Sequence, residues 1–197
     1  MRQDTMEQQR QEWPELLATD LDGHFGQFVS AYRRRLYAFA LRQTGNAQDA
    51  EDIVQEAFLR AYHALKNYPV SRIRTLQVQQ WLYKITLNVF RNHARRSAPP
   101  SVSFDVSEDS PLLEIEDQSG RPDEEVSWRE WRHELERGVA TLPERYRVTV
   151  NLHYFEDLSQ REIAELLNQP VGTVKANVHR GIQLLRKALG TQTNEMR

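Results

Sequence analysis

The chain has 197 residues, with 26 Lys and Arg against 28 Asp and Glu and a formal net charge of −2, a length that admits one domain or two small ones. Cysteine is absent, which excludes disulfides, thiolate metal sites and a thiol nucleophile. No run approaches the ~20 consecutive apolar residues of a membrane span, and the opening MRQDTMEQQRQEW lacks a signal peptide's apolar core, so a cytoplasmic chain without membrane insertion is expected.

The near-neutral total conceals a sorted distribution. Residues 1–96 carry +4, residues 97–125 carry −8 with nine acids against Arg121 alone, and residues 126–197 carry +2. Two basic modules that meet a polyanion would leave this pattern, and so would a linker kept solvated by its acids.

Residues 1–22 are rich in Gln and Glu, with Trp13, Leu16 and Leu17 as their apolar cluster. They read as a flexible tail containing at most a short helix. From Phe25 the apolar residues Phe28, Tyr32, Leu36 and Phe39 recur at three- and four-residue steps, one face of a helix. Thr44-Gly45-Asn46 breaks that pattern, and Asn46 suits the N-cap of a second helix with Ala50, Ile53, Ala57, Ala61 and Leu65 on one face. It should end before Tyr68-Pro69, because a residue preceding proline resists the helical region. Val70–Gln77 gives no clear period.

Gln79 to Arg96 reads as helix again, with Trp81, Leu82, Ile85 and Val89 inward and Lys84, Asn88, Arg91 and Arg95 on another face. Pro99-Pro100 ends it, and the acidic stretch 98–125 reads as a flexible linker. Trp128, Trp131, Leu135 and Val139 restart a helix that stops near Leu142-Pro143, followed by another over Glu144–Tyr154. Ser159 and Glu162 form the capping-box pattern of a short helix, and Asn168-Gln-Pro170 a turn. A last helix is expected from about Gly172 to Leu189, with Val174, Val178, Ile182 and Leu185 inward. Strand-like alternation is absent. The reading is an all-α chain of two small helical domains: a tail at 1–22, domains at 23–97 and 126–190, the linker between them, and a C-terminal tail at 191–197.

The short capped helix, tight turn and longer helix make a helix-turn-helix, whose second helix can enter a major groove. Its outward positions Thr173, Lys175, Ala176, His179, Arg180 and Gln183 suit that task, since Lys and Arg reach guanine acceptors or phosphates and Gln pairs with adenine. An ordinary helical hairpin with a solvated basic face fits the same spacing. On the second helix, Glu51, Asp52 and Glu56 admit two readings. They resemble the metal-binding carboxylates of an all-α nucleotide hydrolase, but hard cations take several carboxylates held together, and Glu130 with Glu134 is the one further helical pair. An exposed protein-binding patch at Asp52, Gln55 and Glu56 needs fewer assumptions. No glycine-rich phosphate loop, close histidine pair or recognisable serine nucleophile is present, so neither cofactor, metal nor catalytic residue is expected.

Three stretches, DAEDIVQEAFLRAYHAL (49–65), WLYKITLNVFRNHARR (81–96) and LPERYRVTVNLHYFEDLSQREIAELLNQPVGTVKANVHRGIQLLRKAL (142–189), together resemble the extracytoplasmic-function sigma factors, the compact two-domain class of the sigma-70 family. The resemblance implies a non-enzymatic protein that binds core RNA polymerase, recognises the promoter −35 and −10 elements, melts DNA and directs initiation. By that resemblance a sigma-2 domain docks on the polymerase clamp through Asp52, Gln55 and Glu56. It would hold the −10 element with Lys84, Asn88, Arg91, Asn92 and Arg95, capturing an unstacked base at Asn88, Arg91 and Asn92. A sigma-4 domain would meet the polymerase flap and read the −35 element with Thr173, Lys175, Ala176, His179 and Arg180. The resemblance also implies an anti-sigma factor that can hold the chain near a membrane, and an acidic linker threading toward the RNA exit path. The connection 69–80 is longer than the family's usual one, and Ala176 with His179 give the last helix its own base preference. A stand-alone helix-turn-helix regulator is the competing reading.

Overall fold

The computed structural model describes residues 12–97 and 138–195, and all regular structure among them is helical. The expected linker at 98–125 and the helix expected around Trp128 and Trp131 lie outside the described residues. Helix α1 (12–19) falls within the expected tail. Its Trp13 and Leu17, one turn apart, are buried, and the Trp13 ring meets Phe28 edge-on at 5.4 Å. The end of that tail is therefore held by apolar burial, worth about 1.5–3 kcal/mol for a large side chain.

Helix α2 (Leu21–Thr44) starts four residues before the periodic stretch that announced it, because the Asp20 carboxylate caps it by accepting from the Gly23 N–H at 2.9 Å. It stops at Gly45, whose φ of 68° is a left-handed conformation that glycine adopts without a Cβ penalty. Asn46 then caps α3 (Ala47–Asn67), its side chain accepting from the N–H groups of Gln48 and Asp49. Ala50, Ala57 and Ala61 lie on the buried face of α3 among Ile53, Val54, Phe58 and Leu65. The stretch without a clear period contains a short helix, α4 (Val70–Arg74), anchored by Ile73.

Helix α5 (Val78–Ser97) is buried on more than the single face its sequence suggested. Leu82 and Val89 point inward as expected, Trp81 and Ile85 are half-buried, and Tyr83, Thr86, Leu87 and Phe90 are buried as well. A helix apolar around most of its circumference belongs between two layers. One layer is α2 and α3. The other is the C-terminal module: α6 (Glu144–Tyr154), α7 (Gln160–Leu167) and α8 (Val171–Glu195), which runs into the expected C-terminal tail. Val148, Leu152, Leu158, Ile163 and Val174 of that module share one apolar cluster with α2, α3 and α5. A smaller cluster of Val139, Leu142, Val150, Phe155 and Leu185 closes its far side.

Candidate functional site

The helix-turn-helix forms as its sequence requires. The Ser159 hydroxyl accepts from the Glu162 N–H at 3.3 Å, and the Glu162 carboxylate accepts from the Ser159 N–H at 2.7 Å. At the turn Asn168 takes φ 54°, ψ 50°, and its N–H and that of Gln169 close the end of α7. Helix α8 buries Val174, Val178 and Leu185 and leaves Thr173, Lys175, Ala176, His179, Arg180 and Gln183 exposed. His179 and Gln183 join through their side chains at 2.9 Å. Gly181 is buried where α8 crosses α6; a Cβ there would stand 2.5 Å from Cγ2 of Val150. Close approach of the two helices fixes the angle at which the exposed stripe is presented.

On α5, Lys84, Asn88 and Arg95 are exposed, whereas Arg91 and Asn92 are half-buried. Arg91 is engaged: its Nε donates to Glu144 Oε1 of α6 at 3.1 Å. Trp81 lies on the same side, at the start of the helix, with the Tyr68 ring 6.2 Å away and the Arg72 guanidinium 3.7 Å over Tyr68.

On α3, Asp52 and Gln55 are exposed and Glu56 is half-buried, held by Arg60 at 2.7 Å one turn on. Gln55 lines a groove of about 980 Å³ between α2 and α3, with Phe25, Val29, Tyr37, Phe58 and Leu59 among its other walls. Leu59 is 57% exposed. Glu51, also on the groove wall, pairs with Arg33 at 3.4 Å. Among the described residues no three His, Asp or Glu side chains gather as a metal site would require, and Glu130 with Glu134 lies outside them.

Sequence reading did not anticipate the polar junction between the modules. Glu156, 1% exposed, enters from the turn after α6. Its carboxylate accepts from Arg42 Nη2 at 2.6 Å and from the Tyr83 hydroxyl, with Arg35 Nε at 3.4 Å; its carbonyl accepts from Gln79 Nε2 at 2.9 Å. Asn151 of α6, also buried, accepts from Arg42 Nε at 2.7 Å and donates to the Phe39 carbonyl at 3.2 Å. Phe155 lies beneath the Arg42 guanidinium at 4.2 Å. Burial pushes the Glu156 carboxyl up from its ordinary range, against the Tyr83 hydrogen bond and the two guanidinium charges. Burial likewise raises the Tyr83 phenol well above its usual value, and the Glu156 charge adds to the effect. The available signals were Arg35 and Arg42, two turns apart on α2, and the second apolar face of α5.

Two family models match the chain: Sigma-70 region 2 over residues 28–99 and Sigma-70, region 4 over residues 132–185. The ECF RNA polymerase sigma factor SigW of Bacillus subtilis is 34% identical over 169 residues, covering 84% of this chain and 88% of that protein. The chain belongs to the extracytoplasmic-function sigma factors. The RNA polymerase sigma-H factor of Pseudomonas aeruginosa is 33% identical over 171 residues, covering 84% of this chain and 86% of the other. Among solved structures, CnrH in complex with the cytosolic domain of CnrY superposes with a TM-score of 0.62 at 22% identity, covering 92% of this chain and 97% of that one. RpoE of Bartonella quintana, in complex with the anti-sigma factor NepR, gives 0.58 at 21% identity, with 84% and 96% covered. This sigma factor is thus an RNA polymerase-binding, promoter-recognising protein whose region 2 spans α2–α5 and whose region 4 contains the helix-turn-helix. No helix among its described residues is long and apolar enough to cross a membrane.

Proposed function

We propose that this sigma factor divides promoter recognition between α8 and α5 and holds the polymerase through α3. Thr173, Lys175, Ala176, His179 and Arg180 read the −35 element as duplex in its major groove, where an Arg or Lys can pair with guanine acceptors. Lys84, Asn88, Arg91, Asn92 and Arg95 follow the −10 strand, and Asn88, with Arg91 and Asn92, takes an unstacked base after melting. Extruding a base costs a few kcal/mol, offset by contacts to its edge and by stacking. Asp52, Gln55 and Glu56 meet a basic surface on the polymerase clamp, with the exposed Leu59 beside them, and region 4 meets the flap.

The observation that carries this reading is that one chain presents two separate polar stripes, fully exposed on α8 and, on α5, exposed at Lys84, Asn88 and Arg95 with Arg91 and Asn92 half-buried. One is on a recognition helix set by a capping box and a left-handed turn, and the other is on a helix of the region 2 module. The protein acts without chemistry of its own: initiation is the polymerase's reaction, and sigma supplies position. It works in the cytoplasm, and an anti-sigma factor restrains it. The test is a pull-down on core polymerase followed by transcription from a promoter carrying both elements. Retention by core with initiation dependent on both elements is expected; DNA binding with no retention by core would instead identify a stand-alone regulator.

A further inference from the structure

The connection between α3 and α5 carries a stacked group to which promoter reading has so far given no role. Pro69 starts α4, and the N–H groups of Arg72 and Ile73 both donate to its carbonyl, at 2.9 and 3.2 Å. That turn brings Arg72 back over Tyr68, four residues earlier, with the guanidinium 3.7 Å from the ring centroid. Trp81 of α5 meets Tyr68 at 6.2 Å and 57°, a tilted contact that braces the phenol rather than stacking on it. Tyr68 and Trp81 are half-buried, and Arg72 is exposed.

Arg72 differs from its neighbours in being uncommitted. Arg74 is paired with Glu15 at 3.0 Å and Arg91 with Glu144 at 3.1 Å, whereas no carboxylate among the described residues meets Arg72. An exposed guanidinium laid on an aromatic ring offers a flat, charged surface, and unstacked bases settle on such planes as they do on aromatic side chains. Trp81 begins the face of α5 that continues through Lys84, Asn88, Arg91 and Arg95. Trp81 and Asn88 are seven residues apart, about 10 Å along the helix axis, against a rise of ~3.4 Å between stacked bases on one strand. A base at Arg72 is therefore not the base at Asn88.

We propose that Arg72, laid on Tyr68 and braced by Trp81, is a second base-stacking site, which holds one further base of the single-stranded −10 segment besides the base taken at Asn88. The site rests on the assignment of α5 to the −10 strand. It accepts any base, because every base has a π face and a stacked guanidinium reads no edge. What it adds is grip on the melted strand rather than sequence preference.

The test uses the full chain assembled with core polymerase and a DNA fork carrying a −35 duplex and a single-stranded −10 segment. One nucleotide at a time is made abasic, within the segment and at its two ends. Loss of one stacked base should weaken binding about 5- to 100-fold. Arg72→Lys keeps the charge and discards the plane, and its exposed position leaves Ile73 to anchor α4. This variant should lose the same factor on the intact fork and nothing further at one abasic position. Asn88→Ala should behave likewise at a different position. A Lys variant that binds the intact fork like the parent overturns the proposal, since charge alone then suffices. So does one whose deficit is the same at every abasic position, the mark of a merely structural role. If Asn88→Ala also keeps one deficit at every position, the assignment of α5 to the −10 strand falls as well. A base-dependent response from Asn88 without one from Arg72 overturns the second site alone.

Discussion

Gly181→Ala adds one methyl group at the crossing of α6 and α8, and its cost follows from three distances. The new Cβ would lie 2.5 Å from Val150 Cγ2, 3.4 Å from Tyr146 Cβ and 3.6 Å from the Tyr146 carbonyl. Carbon atoms pack at about 3.5–4.0 Å, so only the Val150 contact must yield, by roughly 1 Å. Val150 is fully buried, and a β-branched side chain in a helix has one strongly preferred rotamer. The methyl therefore cannot turn aside, and the helices must separate. Overpacking of this kind costs about 1–3 kcal/mol, and the severity of the clash places it near the upper end. Alanine is preferred to glycine in a helix interior by about 1 kcal/mol, which leaves a net loss of about 2 kcal/mol. For a chain of this size that lowers the melting temperature by about 4–8 °C. Calorimetry on the single variant, on Val150→Ala and on the double variant should show strong non-additivity, since removing the Val150 methyl group relieves the clash. Binding to a −35 duplex should weaken in the single variant and partly return in the double. A Gly181→Ala chain that melts higher than the parent, or strictly additive effects in the cycle, would refute the close-approach argument.

Other expectations follow from the surfaces and the junction. Asp52→Ala with Glu56→Ala breaks one exposed pair one turn apart, costing about 0.3–0.5 kcal/mol of stability. It should weaken binding to core polymerase about tenfold, ~1.4 kcal/mol; unchanged affinity in a pull-down titration would remove α3 from the docking face. Arg180→Ala should relax base preference in the −35 element, losing roughly 1–3 kcal/mol of discrimination if it pairs with guanine, while Lys175→Ala lowers affinity more evenly across sequences. Asn88→Ala should spare the −35 duplex and impair open-complex formation, read by permanganate reactivity of melted thymines; weaker duplex binding would count against the division between α5 and α8. Tyr83, with its phenol raised by burial at the junction, should ionise well above the ordinary phenol range in an ultraviolet pH titration. The sign is fixed by linkage: a group raised in the packed state supports that state fully below its ordinary value near 10 and withdraws the support as pH climbs past it. Alkali should open the junction, and a titration in which Tyr83→Phe removes no late-ionising phenol would contradict this.

Most helices were legible because their signals are local. The Asn46 cap, the Ser159–Glu162 box, the Asn168 turn and the three- and four-residue apolar steps each depend on residues within a few positions. The exposed α8 stripe followed from the same periodicity, since Val174, Val178 and Leu185 dictate what faces outward. Two kinds of feature escaped. Helix α4 is short and anchored by Ile73, too little for a period to register, whereas α1 is a short helix of the kind the tail was read as able to contain. The junction escaped for a deeper reason: Arg42 and Glu156 are 114 residues apart, and nothing within a helical turn of either announces the other. Leu87 and Phe90 were the nearest thing to a warning, because an α5 with one buried face would not need them.

The chemistry of the junction also bears on why a chain of two promoter readers would hold them together by charge. A wholly apolar contact between modules resembles a core and gives no reason to part, whereas a buried ion pair roughly breaks even against a hydrophobic replacement. Its desolvation penalty offsets much of its attraction, so closure stays specific without becoming permanent. Arg42, Arg35 and Tyr83 specify where Glu156 fits, and Asn151 fixes the register against the Phe39 carbonyl. Val148, Leu152 and Leu158 add apolar area from the same module. On separation the charges regain water while these side chains lose cover, two changes of opposite sign. A contact balanced in this way can be tipped by any partner that binds one module better when the other has moved, with no more than its differential affinity for the two states.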